Sequence, residues 1–185
     1  MAITIKPAHQ IGDDEIQQLS NDNPGLQFER DRDGRLIVTP TGGESGRRSA
    51  EVCAQLRDWA RGGNFGPVFD SSTGFKLPDG SLRSPDAAWV SRDRWEALTQ
   101  SQREAYPPLP PDAVFEIHSR SDSAEALRAK LLAYVENGVR IAVLIDPYDE
   151  SVDIARNDGL ARATYDRVDL TQDLPGFTLD LDALK

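Results

Sequence analysis

The sequence predicts an α/β (α+β) fold that combines parallel and antiparallel strand pairs. Three observations predict it: a strand, helix, strand run over residues 113 to 146, a hairpin centred on Asp33-Gly34, and further strands near the end of the chain. A length of 185 residues suits a single domain, 1-185, with its core over about residues 26-170. The 38% hydrophobic content and the 14 glycines together give roughly 46% apolar residues, an ordinary globular share.

In chain order, the first extended pieces lie in LQFERDRDGRLIVTP, on either side of Asp33-Gly34, a dipeptide suited to the positive backbone angles of a tight turn. TGGESG reads as a loop leading into a helix. Val52, Cys53, Leu56 and Trp59 then recur at helical spacing, so an amphipathic helix is expected over residues 45 to 61, ended by Gly62-Gly63. PVFDSS, TGFKLP and DAAWVS follow as short strands, with Pro78-Asp79-Gly80 turning the chain between the last two. Residues 92 to 112 predict a short helix and then a loop, because consecutive prolines supply no amide donors to a helix interior. AVFEIH is a strand. Ser121, Asp122 or Ser123 can cap the next helix, in which Leu127, Leu131, Tyr134 and Val135 form one face and which Asn137-Gly138 closes. IAVLID is an uninterrupted apolar run of the kind buried inside a sheet. A strand, helix, strand crossover makes its two strands parallel. SVDIAR and ARATYDRVDL close the chain as antiparallel edge strands.

Composition excludes much chemistry. One cysteine, Cys53, cannot form an internal disulfide or a thiolate zinc cluster, and two histidines, His9 and His118, cannot build a histidine-rich zinc site. A metal would therefore be held by carboxylate and carbonyl oxygens, which select magnesium, manganese or calcium. No apolar run is long enough for a membrane helix, and MAITIKPAHQIGDDE lacks a signal segment, so a cytoplasmic protein with no membrane partner is expected. The net charge of −10 argues against a nucleic-acid partner at first sight. Its distribution softens that: the charge is −3 over residues 1 to 43, −1 over 44 to 130, zero over 131 to 145 and −6 over 146 to 185. The near-neutral middle carries most of the arginines, which form either a solvated mixed surface or a phosphate-facing patch.

Chemistry concentrates on Asp86, Glu116 and Lys130. Two carboxylates and an amine are what metal-dependent phosphodiester hydrolysis needs: the acids hold a cation, and the amine stabilises hydroxide or developing charge. Glu116 sits in an otherwise apolar strand, where an unpaired carboxylate is costly. Lys130 falls at the margin of its helix's apolar stripe, about 60° from Leu127 and about 40° from Tyr134. A purely structural alternative lets Lys130 snorkel and pairs Glu116 with an arginine. Strand alternation puts His118 on the face of Glu116, where it is an accessory candidate or an ordinary satisfied histidine. Ser119 lacks a nucleophile elbow, and TGGESG lacks the Lys-Ser/Thr of a phosphate loop. Trp59 and Trp89 fall in apolar stripes, which leaves Trp95 as the tryptophan expected at the surface.

Taken together, RSPDAAWV, PPDAVFEIHSRSD, Lys130-Leu131-Leu132-Ala133-Tyr134, Asn137-Gly138, VLIDP and the entry FERDRDGRLIVTPTGGESGRR resemble the bacterial Uma-two family in the restriction-endonuclease-like PD-(D/E)XK nuclease superfamily. The likeness runs from about Glu29 through Arg156. It implies a restriction-endonuclease-like central mixed β-sheet flanked by helices, and metal-dependent endonuclease activity on nucleic acid, DNA before RNA. By that resemblance Asp86 is the acid of the PD element and Glu116 that of the second motif, with Mg2+ or Mn2+ held by Asp86, Glu116 and the Ile117 carbonyl. The lysine of the second motif is His118 here, and Lys130 is its expected replacement. The family also implies an acid from the first helix, Glu44 before Glu51. The alternative reading is a non-catalytic nucleic-acid or protein-binding module on the same fold, motivated by His118 and the net charge. A homodimer that builds the cleft from two subunits is a further possibility.

Overall fold

The computed structural model describes residues 2–40, 42–120 and 122–185. The chain runs through β1 (Ile3–Ile5), α1 (Asp13–Asp22), β2 (Leu26–Arg30), β3 (Leu36–Pro40), α2 (Gly43–Gly63), β4 (Val68–Asp70), β5 (Phe75–Lys76), β6 (Leu82–Arg83) and β7 (Ala87–Trp89). It continues through α3 (Arg92–Glu96), α4 (Gln100–Glu104), β8 (Ala113–Ile117), α5 (Ala124–Glu136), β9 (Ile141–Asp146), β10 (Ser151–Arg156), β11 (Gly159–Thr164), β12 (Arg167–Asp169) and β13 (Thr178–Asp180), and ends in a 3-10 turn at Asp182–Leu184.

Among the described residues the strands form three sheets. The largest has the order β11-β10-β9-β8-β7-β4 and is mixed: β8 and β9 pair in parallel across the α5 crossover, and the other neighbours pair antiparallel. Alternation along β8 decides what each face meets. Ala113, Phe115 and Ile117 pack with Val52, Leu56 and Ala60 of α2, whereas Val114 packs with Leu131 and Tyr134 of α5. Each of the larger fully buried aliphatic and phenyl side chains here, Val52, Leu56, Val114, Phe115 and Leu131, contributes on the order of 1.5–3 kcal/mol of transfer free energy. Glu116 therefore points toward α5. The second sheet, β1-β3-β2-β6-β5, is antiparallel and contains the expected hairpin, with Gly34 at φ +78° in its turn. The smallest pairs β12 with β13.

Several expectations need correction. The turn at Pro78-Asp79-Gly80 joins β5 to β6, not to the strand before α3, and the Leu77 amide closes it on the Ser81 carbonyl at 2.9 Å. The helix expected over 45 to 61 runs from 43 to 63 and ends at Asn64 in the left-handed conformation. Residues 92 to 112 hold two short helices. The core continues past residue 170, through the buried Leu174, Phe177, Leu179, Leu181 and Leu184. Trp95 is half-buried with its ring 5.0 Å from that of Phe69, so it is not the exposed tryptophan expected. Of the three proposed caps of α5, the Ser123 hydroxyl accepts from the Ala126 amide at 3.3 Å, and Ser121 lies outside the described residues. Among the described residues no helix is long and apolar enough to cross a membrane.

Candidate nuclease site

A cleft of about 1420 Å³ opens between the hairpin sheet, the start of α2 and the exposed side of α5. Its floor is polar because three strands deliver acids to it. Glu116 enters from β8, Glu29 from β2, and Asp86 from the entry to β7. Lys130 meets two of them from α5, with its ammonium 2.8 Å from Glu116 Oε1 and 3.0 Å from Glu29 Oε1. The Tyr134 hydroxyl, one turn further along α5, donates to Glu116 Oε1 at 2.9 Å. Glu29 also accepts the Ser84 amide at 2.7 Å and pairs with Arg83 at 3.4 Å.

Burial and charge act in opposite directions in this cluster. Burial raises the Glu116 carboxyl, and the Lys130 charge only partly offsets it. Burial likewise raises Asp86, against the amide hydrogen bond from Ile117. For Glu29, burial is outweighed by Lys130 and Arg83, which hold its carboxyl below the usual value. Burial disfavours the Lys130 ammonium, but Glu116 and Glu29 more than compensate and hold it well above the ordinary lysine value. Lys130 is thus a fixed cation at neutral pH.

Asp86 is partly buried and oriented by two contacts: its Oδ2 accepts the Ile117 amide at 2.7 Å, and its Oδ1 lies 3.0 Å from the Ser49 hydroxyl of α2. The β7–β8 pairing ends with Ala87 opposite Phe115; continued two steps further, that register would set Pro85 opposite Ile117, whose amide goes to Asp86 instead. Proline has no amide hydrogen to complete that rung. A strand residue sends its N–H and carbonyl to the same edge, so the Ile117 carbonyl issues beside Asp86 with no ladder donor facing it. Glu116 Oε2 likewise takes no hydrogen bond among the described residues. Both oxygens are hard donors, as a divalent cation of the magnesium type requires. Among the described residues no group of three or more His, Cys, Asp or Glu side chains is arranged to hold a metal. Any cation here would draw on two carboxylates and the carbonyl, with water completing its shell.

Asp86, Glu116 and Lys130 therefore lie on one cleft, and neither acid is tied to an arginine. The accessory candidates do not reach the cluster. Glu44 is exposed and pairs with Arg47 at 2.6 Å and Arg48 at 3.5 Å, so the helix α2 side chain on Asp86 is Ser49. Just past β8, the His118 ring binds Asp146 at 2.8 Å and the Asp122 carbonyl at 3.2 Å, and it is not among the cleft-lining residues. Glu29, Arg83, Tyr134 and Ser49 were not singled out from the sequence. Only Tyr134 carried a signal, by falling one turn beyond Lys130 on α5.

A mixed sheet between two helices, with acids at adjacent strands and a lysine arriving from the crossover helix, defines the restriction-endonuclease-like class of fold. The chain belongs to the Uma2 family, described as "Putative restriction endonuclease", whose model matches residues 13–182. In structure it is similar to a crystal structure described as a "putative nuclease belonging to DUF820" from Anabaena variabilis, with a TM-score of 0.72 over 85% of this chain and 88% of that one. Sequence identity is 18%, so the likeness concerns the fold alone. No curated protein matches the chain.

Proposed function

We propose that the protein is a divalent-metal-dependent endonuclease that hydrolyses DNA phosphodiester bonds, with Asp86, Glu116 and the Ile117 carbonyl holding Mg2+ or Mn2+. The observation that carries this reading is the Lys130 ammonium, 2.8 Å from Glu116 on the floor of a cleft that Asp86 also lines. A bound ion of this kind polarises a phosphate and acidifies a water molecule. The side chains do the rest. Tyr134 and Lys130 both engage Glu116 Oε1, which leaves Oε2 as the free donor. Lys130 stays protonated, so its role is to stabilise charge developing on phosphate oxygens and not to accept a proton.

The non-catalytic alternative rests on the net charge of −10 and on His118, which stands where the second-motif lysine is expected. A cation reaches the second acid nonetheless, from α5, and that favours the catalytic reading. The test is cleavage of plasmid DNA with Mg2+ or Mn2+ by the purified protein and by Asp86→Asn and Glu116→Gln. Both variants should lose cleavage and calorimetric Mn2+ binding while melting cooperatively. Cleavage retained by either folded variant rejects the assignment.

A further inference from the structure

One cluster on the rim of the cleft has no role in the chemistry above. Tyr148 lies in the turn between β9 and β10 and is 40% exposed. The guanidinium carbons of Arg120 and Arg48 lie 4.9 and 5.5 Å from its ring centroid, and Arg48 donates to its hydroxyl at 3.4 Å. The turn beneath is rigid: Asp146 Oδ1 accepts the amides of Tyr148 and Asp149 at 3.0 Å each, and Asp146 Oδ2 holds His118, whose ring packs edge-on against Tyr148 at 5.7 Å. Arg48 is anchored from behind by its Nε bond to the Leu184 carbonyl at 2.9 Å. Arg120 is exposed and pairs with no carboxylate among the described residues.

Two guanidiniums from separate elements are thus gathered on one ring at the edge of the cleft. Arg48 directs its nitrogens to the Leu184 carbonyl, the Tyr148 hydroxyl and, at 3.5 Å, Glu44, whereas the Arg120 guanidinium stacked on the aromatic face keeps an N–H edge that matches a phosphate. In a protein of net charge −10, an arginine on a cleft wall with no acid partner among the described residues is open to an anion. Arg120 follows Glu116 by four residues, so the chain separates them by at most roughly 14 Å. At roughly 3.4 Å of duplex axis per nucleotide, that span covers about four nucleotides.

We propose that Arg120, held on Tyr148 beside the anchored Arg48, forms a subsite for a non-reacting backbone phosphate of the DNA strand whose scissile phosphate lies at Asp86 and Glu116. This rests on the nuclease reading and adds the direction in which the strand leaves the reacting centre, over the β9–β10 turn. Arg120 and Tyr148 are then positioning residues for substrate and take no part in bond cleavage.

The test is fluorescence anisotropy with a short labelled DNA in EDTA, which separates binding from cleavage, run at several salt concentrations. Arg120→Ala should bind roughly five- to tenfold more weakly at 0.1 M salt and lower the slope of log K against log salt by about 1, as loss of one phosphate contact requires. In the cleavage assay KM should rise by the same factor with kcat held. Arg120→Lys should keep the salt slope. Tyr148→Ala, which removes no charge, should also weaken binding, and Tyr148→Phe should restore most of it. Melting curves check that each variant is folded. Wild-type affinity and salt slope in folded Arg120→Ala and Tyr148→Ala, in a preparation whose wild type cleaves DNA, would overturn the subsite and leave the nuclease reading standing. Absence of both DNA binding and cleavage in the wild type would remove the two together.

Discussion

Lys130 is the residue on which the site balances, because it is shared by two acids that belong to different sheets. Removing one partner of a buried ion pair leaves the other uncompensated, typically at about 3–5 kcal/mol. Lys130 keeps some contact with solvent, so about 3 kcal/mol is expected for Lys130→Met in urea denaturation. Adding Glu29→Gln should recover part of that stability while cleavage stays lost, which separates the electrostatic contribution of the ammonium to the fold from its proposed role in catalysis. A subtler effect is expected at Pro85. Pro85→Ala supplies an amide donor opposite the Ile117 carbonyl, and completing that rung should leave the melting temperature unchanged or raised. Calorimetry should show Mn2+ binding weakened several-fold, since the carbonyl would then be engaged. Unchanged Mn2+ affinity would show that the carbonyl is no ligand.

The same logic extends to the element that delivers Lys130. Helix α5 is fastened to the sheet by more than its apolar face: Arg128 donates to Asp153 of β10 at 2.5 Å, and Arg162 of β11 donates to the same carboxylate at 2.8 Å. Burial alone would raise the Asp153 carboxyl, but these two arginines outweigh it and hold the group below its ordinary value. A carboxylate whose folded value is depressed stabilises the fold above its unfolded value and loses that contribution as pH falls through the folded one. Stability measured by chemical denaturation should therefore drop more steeply below about pH 4 in the wild type than in Asp153→Asn, with the two curves offset by a constant amount at neutral pH. Equal acid slopes would show that the arginine staple contributes nothing. Because α5 also carries Tyr134 and the Ser123 cap, a loosened staple should lower cleavage through misplaced Lys130 even though Asp153 lies outside the cleft lining.

At the scale of the whole molecule, what could be read in advance follows how local each signal is. The crossover through α5 was legible because AVFEIH and IAVLID are apolar runs on either side of a helical period, and the first hairpin because Asp33-Gly34 marks its own turn. β1 and α1 were not, since the three strand residues are all exposed and the helix is mainly polar, with Ile16 as its buried residue. β6 is two residues long and carries no periodicity of its own. Glu116 stood out as an acid inside an apolar strand, Lys130 as an amine at the margin of an apolar stripe, and Asp86 only in combination with them, from the Pro-Asp pair at a strand entry. Glu29 did not, because it lies on the face of β2 opposite Phe28, where alternation predicts an ordinary solvent-facing acid, and it is covered by distant parts of the chain, Arg83, Ser84 and Lys130 of α5. That burial links the two larger sheets through charge, three acids against Lys130 and Arg83. Removing either Glu29 or Glu116 leaves two acids for two cations, whereas removing both leaves an excess of buried positive charge. The double variant Glu29→Gln/Glu116→Gln should thus lose more stability than the two single variants combined, with an interaction energy within about 0.5–3 kcal/mol in a double-mutant cycle. Strict additivity would mean that the sheets meet at Lys130 without being coupled by it, and that the cleft is held open by apolar packing alone.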